Sequence, residues 1–323
     1  MHLWTLELGS VVMGNHNASQ KKYYSPMQMA WKRFRHHRLA CVSLFIMLAL
    51  TAIVIFIPFL LETFSKYTPI STDIHNRFLP LSLHHPFGTD DLGRDVLARI
   101  FYGGRISLMI AGVSALFSLG IGMTIGAWAG YYGGFVDTIL MRFTDGMLSL
   151  PQLPLMILLA AVDLQKIFPQ ALNFMARGNY ASMLKLMLIV VFFGWMTVAR
   201  LVRGEFLSLK EWEFIQAAKG IGVSNRKIIW RHMIPNCIAP IIVATTLSMG
   251  SVILYEAVLS FLGLGVQPPI PSWGNMLNNA QEYIRIAPLL AFFPGFFILL
   301  TVVSINFVGD GLRDAFDPQF VNK

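Results

Sequence analysis

The stretch that organises this chain spans residues 208–236 and reads SLKEWEFIQAAKGIGVSNRKIIWRHMIPN. It is the longest charged, helix-prone stretch in a chain that is otherwise mostly apolar. Ser208 and Glu211 have the spacing of a capping box, which predicts that a helix begins there. Gly220 and Gly222 predict where that helix ends, because glycine adopts positive φ angles without strain.

The second half of this stretch predicts another helix. Ser224 is suited to cap a short helix over residues 225–231, and Pro235 is expected to end the unit before an apolar run begins. Two short helices at a sharp angle, held between two hydrophobic spans, are typical of a docking element. The sequence outside the stretch indicates which kind of partner docks there.

The composition places the chain in a membrane. Of its 323 residues, 55% are hydrophobic and only 13% are charged, whereas a soluble domain carries about 25% charged residues. The chain is long enough for about six transmembrane helices of about 20 residues each. Its net charge of +8 fits an excess of Lys and Arg on the cytoplasmic side of a lipid bilayer, so no nucleic-acid partner is expected.

Apolar runs predict an all-α integral membrane protein with six transmembrane helices and both termini in the cytoplasm. The predicted spans are 39–61, 106–130, 147–162, 185–201, 237–259 and 287–308. They leave a cytoplasmic segment at 1–38, an extracytoplasmic segment at 62–105, a five-helix core at 106–308 that contains the loop 204–236, and a cytoplasmic tail at 309–323.

The distribution of basic residues predicts the orientation. With the N-terminus inside, the segments assigned to the cytoplasm carry 16 of the 25 Lys and Arg residues, which leaves 9 for the other segments. A dense basic cluster, from Lys32 to Arg38, directly precedes the first span. Because cytoplasmic loops carry an excess of Lys and Arg, the stretch 208–236 is expected to face the cytoplasm.

Local features predict the shape of two spans. Asp90 or Asp91 is suited to cap a short amphipathic helix ahead of the second span. Pro151 and Pro154 lie in the first turns of the third span, where they are expected to bend it. Small residues at every fourth position of the second span predict close packing within one bundle, which could include another chain. These residues are Ser114, Ser118, Gly122, Gly126 and Gly130.

Few residues are candidates for chemistry. Glu256 is the only acid well inside a predicted span, and two roles remain open for it: pairing within the helix bundle or lining a transport pathway. No phosphate-binding loop of the GxxxxGK[ST] type occurs, so the chain is not expected to bind ATP in that way. The histidine pairs at 36–37 and 84–85 lack further ligands, and no metal site is predicted.

Motifs along the chain resemble those of a known transporter family. The run QAAKGIG at 216–222 is similar to the Glu-Ala-Ala-x-x-x-Gly loop of ABC importer membrane subunits. From about residue 30 to the end, the chain resembles the permease subunits of oligopeptide, dipeptide and nickel importers, and within them the "C" type of the permease pair. The motifs are HPFGTDDLGRD at 85–95, MRFTD at 141–145, RLVR at 200–203, EAVLSFLGLG at 256–265, PSWG at 271–274 and GDGLRDAFDP at 309–318.

This resemblance implies a type I importer fold, in which a cytoplasmic coupling helix docks on a separate ATPase. The coupling residues that it implies are Glu213, Gln216, Ala217, Ala218, Lys219, Gly222 and Arg226. The family's loop opens with a glutamate where this chain has Gln216. A charged contact with the ATPase would therefore have to come from Glu213, one helical turn earlier.

The resemblance also implies a function. The chain is expected to be the membrane permease of an ATP-driven, binding-protein-dependent importer of di- or oligopeptides in the bacterial cytoplasmic membrane. Its expected partners are a homologous second permease, two cytoplasmic ATPases, an extracytoplasmic solute-binding protein and the lipid bilayer. ATP and Mg²⁺ would bind to the ATPases, so this chain is expected to hold no cofactor and not to be an enzyme.

Other functions remain open from the sequence. Within the family, the solute could be nickel or another small molecule. Outside it, the chain could be an ion-coupled secondary transporter, which would need inverted repeats and paired charges within the membrane. It could also be a membrane anchor that transports nothing, with the stretch 208–236 lying on the lipid surface.

Overall fold

The computed structural model describes residues 26–60, 63, 69–162 and 180–316. Within these ranges the regular structure is helical, as predicted, apart from one short 3₁₀ turn over Ile74–Asn76 and a single β-bridge between Thr89 and Asp95. The α-helices are α1 (Pro26–His36), α2 (Arg38–Leu60), α3 (Val96–Tyr132), α4 (Gly134–Leu148), α5 (Gln152–Ala161), α6 (Ala181–Lys210), α7 (Glu213–Gly220), α8 (Asn225–Phe261), α9 (Trp273–Glu282) and α10 (Leu289–Phe316).

Six membrane crossings fit this set of helices. Five of them, α2, α3, α6, α8 and α10, are each long and apolar enough to cross a membrane. The pair α4 and α5 passes the same test only when taken together, with a bend of 82° between the two helices. By length and composition the described residues thus contain five crossing helices, or the predicted six when this bent pair counts as one span.

The crossing helices extend well beyond the predicted spans. Helices α3 and α8 contain 37 residues each, which at about 1.5 Å per residue makes them about 55 Å long. The hydrocarbon core of a bilayer is only about 30 Å thick. The predicted spans 106–130 and 237–259 are therefore the central parts of longer helices, because hydropathy falls where lipid ends while backbone hydrogen bonding continues. Similarly, α10 extends into the predicted tail as far as Phe316.

The prediction of a separate amphipathic helix before the second span was wrong. Residues 96–105 form the first turns of α3, and Asp95 caps it by accepting a hydrogen bond from Ala98 N (2.7 Å). Asp90 is instead buried and pairs with two arginines, with its Oδ2 lying 2.7 Å from Arg94 Nε and 3.5 Å from Arg99 Nε. Three aspartates precede the helix, and tertiary pairing decides which of them caps it.

Two helix boundaries predicted in the stretch 208–236 were also wrong. Ser208 lies inside α6, so the predicted capping box does not form, and the next helix begins only at Glu213. The predicted short helix 225–231 is the start of the long helix α8. Pro235 does not end it, because a wider π-helical turn over Ile228–Met233 precedes this proline. Regular α-helix resumes within α8 at Ile234, so Pro235 lies in the first turn of that stretch, where its missing N–H is tolerated.

The third span bends as predicted but begins earlier. Pro151 is the residue before α5, and the chain turns between Leu148 and Gln152. Pro154 follows in the first turn of α5. The crossing as a whole therefore runs from Gly134 to Ala161, and not over 147–162 alone.

The small-residue face of α3 packs against α6. A Cβ atom added to Gly122 would lie 2.5 Å from Trp195 O, and one added to Gly130 would lie 2.5 Å from Phe206 Cβ. Side chains larger than hydrogen would push the two helices apart, which is why small residues occur at this spacing. The predicted packing within one bundle is confirmed, and the partner helix belongs to the same chain.

The bundle has two distinct ends. The α7 end consists of α7 with the adjoining end of α3, where Tyr131 Oη donates a hydrogen bond to Asn225 Oδ1 (2.8 Å). The α9 end consists of α9 with residues 69–95 and the start of α3, where Trp273 Nε1 donates to Ile100 O (3.0 Å). Helix α10 runs antiparallel to α8. Its C-terminal turns, and α1 beside them, consequently lie on the same side of the bundle as α7.

Candidate functional site

Helix α7 is held against the bundle by one apolar face. Ile215 and Ala218 are buried in a cluster that includes Phe206 of α6 and Ile228 and Met233 of α8. These contacts tie the short helix to both of the long helices that flank it in the chain. Because eight residues alone form a marginal helix in water, this packing is what stabilises α7.

The opposite face of α7 is exposed. It carries Glu213, Gln216 and Ala217, and the methyl group of Ala217 leaves room for another surface to approach the helix backbone closely. Large apolar side chains within or next to α7 in the sequence are also exposed: Trp212, Phe214 and Ile221, the last by 82%. Exposed apolar side chains beside a short helix with small side chains on its surface are typical of a protein-binding surface.

Gln216 stabilises the turn that leads into α7. Its Nε2 donates a hydrogen bond to Lys210 O (2.8 Å), a carbonyl at the C-terminus of α6. A glutamate carboxylate could not donate this bond, and its negative charge would face the negative end of the α6 dipole. The departure from the family's glutamate therefore has a local structural role in this chain.

Lys219 of α7 is partly exposed and reaches the neighbouring helix α3. Its Nζ lies 5.5 Å from the centroid of the Tyr131 ring, so the ammonium group contacts α3. The same Tyr131 bonds to Asn225 at the start of α8. The ends of α3, α7 and α8 are thus linked through one aromatic side chain.

Gly222 ends α7 as predicted. Its φ angle is +80°, and the backbone N–H groups of Gly222 and Val223 bond back to Lys219 O and Ala218 O. These two bonds form a Schellman motif, which needs a left-handed residue and so favours glycine. The side chain of Arg226 follows in the first turn of α8 and is exposed.

Two ion pairs that sequence reasoning missed connect α4 to α6 near α7. Arg203 pairs with Asp137 through two bonds, Nε to Oδ1 at 2.5 Å and Nη2 to Oδ2 at 2.6 Å. One helical turn earlier, Arg200 Nη2 lies 2.6 Å from Asp145 Oδ1. Two arginines three residues apart in α6 indicate a charged face, but the sequence does not show that its partners lie on α4, more than 50 residues away along the chain.

A cavity of about 340 Å³ lies between α5, α6 and α8. Its polar lining consists of uncharged side chains: Gln152, Thr197, Ser248, Ser251 and Tyr255. Tyr255 Oη lies 3.4 Å from Gln152 Oε1 across it. The cavity adjoins the central parts of α6 and α8, where hydroxyl and amide groups are rare unless they serve packing or a pathway.

Glu256 lies in the bundle, at the junction of α3, α8 and α9, and it does not line this cavity. Its carboxylate is fully buried and accepts hydrogen bonds from Ser107 Oγ (2.9 Å) and Ser260 Oγ (2.8 Å). Ser107 Oγ also accepts a bond from Trp273 N at 3.3 Å. These contacts favour the bundle role over the pathway role. Sequence reasoning missed both serines: Ser260 lies on the next turn of α8, and Ser107 lies on α3.

Two histidines in the described ranges make contacts near helix starts. No group of three or more His, Cys, Asp and Glu side chains there is arranged to hold a metal ion. His85 Nδ1 lies 2.9 Å from Asp95 Oδ2, beside the cap of α3. His37 Nδ1 accepts a hydrogen bond from Ala40 N (3.1 Å) at the start of α2.

Family models match most of the chain. The family described as "Binding-protein-dependent transport system inner membrane component" matches residues 122–322. The "N-terminal TM domain of oligopeptide transport permease C" matches residues 25–80. The chain belongs to the family of binding-protein-dependent transport inner membrane components.

The permease aligns with individual relatives over almost its whole length. It is 43% identical to the dipeptide transport system permease protein DppC of Alkalihalophilus pseudofirmus, over 91% of this chain and 90% of the relative. It is 37% identical to the oligopeptide transport system permease protein OppC of Bacillus subtilis, over 95% and 94%. Among solved structures, an inward-facing MetNI methionine ABC transporter matches with a TM-score of 0.49 and 18% identity, over 68% of this chain and 96% of that chain.

The family and these relatives confirm the resemblance seen in the sequence. The permease is a membrane subunit of the ABC importer class and an inner-membrane protein of a bacterium. Its six crossings agree with that location.

Proposed function

We propose that this permease imports di- or oligopeptides. The observation that supports the proposal is its similarity, over 90% or more of both chains, to relatives named as dipeptide and oligopeptide permeases. A nickel importer is the alternative within the family. Uptake of a labelled dipeptide and of nickel ions by cells with and without this permease separates the two. Loss of nickel uptake with unchanged peptide uptake would refute the proposal.

We further propose that α7 is the coupling helix and docks in a groove of a separate cytoplasmic ATPase. ATP and Mg²⁺ bind to that ATPase, and this chain catalyses no reaction. The exposed face of α7, from Glu213 to Ala217, supports this role, as does the packing of its buried face on α6 and α8. A push on α7 would therefore move both long helices, and α3 through Tyr131.

The complete importer is proposed to contain a homologous second permease, two ATPases and an extracytoplasmic solute-binding protein. The basic residues between Arg200 and Arg231 support a cytoplasmic α7 end. The α9 end would then face outward and receive the binding protein. Exposed apolar residues at this end, including Ile74, Leu81 and Leu83, give it a surface for protein contact.

The cavity between α5, α6 and α8 is proposed to form part of the solute path. Its hydroxyl and amide groups can hydrogen-bond to peptide groups without holding a charged end tightly, which favours passage over trapping. Glu256 is held by serine hydroxyls away from this cavity, so its contacts give no support to ion-coupled transport.

A bulky residue on α7 tests the coupling role. Ala217→Trp is expected to abolish peptide uptake and the stimulation of ATPase activity by the loaded binding protein, because the exposed indole would block the groove. Ala52→Trp is the matched control, since Ala52 is exposed on α2, far along the chain from α7. Gly222→Asp is likewise expected to abolish uptake while the protein still inserts. Normal uptake by either α7 variant would refute the assignment.

Cysteine labelling tests the orientation. In intact cells, an impermeant maleimide is expected to label Leu83→Cys at the α9 end but not Ser224→Cys at the α7 end. The native Cys237 is buried and Cys41 partly so, which keeps background labelling low. The reverse labelling pattern would overturn the orientation while leaving the family membership intact.

A larger side chain in the cavity tests the path. Ser251→Trp is expected to fill much of the cavity and to lower peptide uptake at least tenfold, with the protein still folded and inserted. Ser251→Ala is the control, because it keeps the space and removes only one hydroxyl group. Uptake by Ser251→Trp at the wild-type rate would show that solute passes elsewhere.

A further inference from the structure

A second cavity, of about 410 Å³, lies where α1, the start of α2 and the last turns of α10 meet. Its lining residues are Lys32, Arg33, His36, His37, Gly311, Asp314 and Ala315. Glycine at 311 allows the two sides to approach, because an added Cβ would lie against Ala40 and 3.2 Å from Phe34 Cε2. The cavity is therefore built by close helix packing and is more than a gap between loose side chains.

Among the described residues of its wall, this cavity has more basic than acidic side chains. The basic ones include Lys32 and Arg33, and Arg33 Nη1 donates a hydrogen bond to Ala315 O at 3.5 Å, which holds its guanidinium beside α10. Asp314, the acidic side chain among these described residues, is half exposed and lies with Oδ2 3.7 Å from His37 Nε2. Two cations against a single carboxylate, which itself faces a histidine, favour an anionic ligand.

The position of the cavity favours a lipid. The apolar span α2 begins at Arg38, next to the cavity, and leaves Leu39, Val42 and Phe45 exposed along its outer face. Trp31 of α1 is also exposed, by 55%. Tryptophan and long cationic side chains concentrate at the depth of lipid headgroups, with apolar helix surface directly below.

We propose that this cavity binds the headgroup of an anionic phospholipid. The phosphate lies against Lys32 and Arg33, and the acyl chains follow the exposed face of α2. Basic pockets between helices at the membrane surface are suited to acidic headgroups in this way. The proposal does not depend on which solute the permease carries or on how α7 is coupled.

Native mass spectrometry of the full-length permease with added lipid tests this proposal. The wild-type chain is expected to retain phosphatidylglycerol in preference to phosphatidylcholine. Lys32→Gln is expected to lower the retention of phosphatidylglycerol about fivefold, as expected for one lysine at the membrane surface. The matched control is Arg35→Gln, which removes the same charge from an exposed residue of α1 that does not line the cavity. Its retention is expected to match that of the wild type.

Three results would overturn the proposal. Equal retention of the two lipids by the wild type would show no preference for an anionic headgroup. Equal loss in Lys32→Gln and Arg35→Gln would indicate diffuse attraction to the whole basic cluster. Thermal stabilisation of lipid-free permease by inorganic phosphate, but not by phosphatidylglycerol, would assign the cavity to free phosphate. Unfolding of both variants at the wild-type temperature, without added lipid, excludes misfolding as the cause of lost binding.

Discussion

The α9 end and the α7 end of the bundle differ in whether their polar and aromatic side chains are buried or exposed. At the α9 end, Glu256, Asp90 and Arg99 are buried, and each has partners within the chain. At the α7 end, Glu213 and Gln216 are exposed beside large apolar side chains. Because buried polar groups are costly unless paired, the α9 end must complete its own contacts. The exposed face of the α7 end is free to complete its contacts with another chain.

The two ends also differ in the contacts that hold them together. The α9 end is held by a capping box between Ser272 and Asn275 and by two bonds from Asn275 Nδ2 to Val266 O and Ile270 O. The α7 end relies on a small apolar face and on contacts through Tyr131.

The largest expected effect comes from truncating a tryptophan at each end. Trp273 is fully buried and stacks near Phe297, whereas Trp212 is 49% exposed. Trp273→Ala is expected to lower the free energy of unfolding by about 3–5 kcal/mol, and Trp212→Ala by no more than about 0.5–1 kcal/mol. Thermal unfolding in detergent measures both. Equal losses would break the distinction between a self-contained end and a docking end.

An intermediate effect is expected from the two ion pairs between α4 and α6. Asp137→Asn is expected to cost about 1–3 kcal/mol, because the partly buried Arg203 loses its charged partner and one of the two oxygens that accept its bonds. Asp145→Asn, the matched control, is expected to cost about 0–1 kcal/mol, since both members of that pair are more than half exposed. Measuring the free energy of unfolding at low and at high salt distinguishes the two variants. Only the loss caused by Asp145→Asn should vanish at high salt. A greater loss for Asp145→Asn would contradict this ranking.

The smallest effect is expected from Gln216→Glu, which restores the family's usual acid. It removes the bond to Lys210 O and should lower local stability by about 0.5–1.5 kcal/mol. Amide hydrogen exchange of the backbone N–H groups of α7 measures this as faster exchange. Gln216→Met removes the bond without adding charge and serves as the control. Unchanged exchange in both variants would show that this bond does not hold the turn.

Sequence reasoning predicted one local feature of 208–236 correctly, since Gly222 takes the left-handed conformation expected of it. The docking role of this stretch stays a prediction. The capping box at Ser208 failed because a capping pattern does not reveal that the preceding residues are already helical. The helix end predicted at Pro235 was wrong for a related reason. The π-helical turn before this proline removes the clash that a proline otherwise causes inside a helix.

The amino-acid sequence alone determines that this chain is a membrane protein with several transmembrane helices, because long apolar runs are stable in the hydrocarbon core of a bilayer. It also determines the positions of the close helix contacts, which require small residues at every fourth position. Only the tertiary structure decides which polar groups pair. Ser107 and Glu256 are 149 positions apart, and Asp137 and Arg203 are 66 apart. Local patterns carry no record of such distances, since these partners meet only when helices from distant parts of the chain pack together.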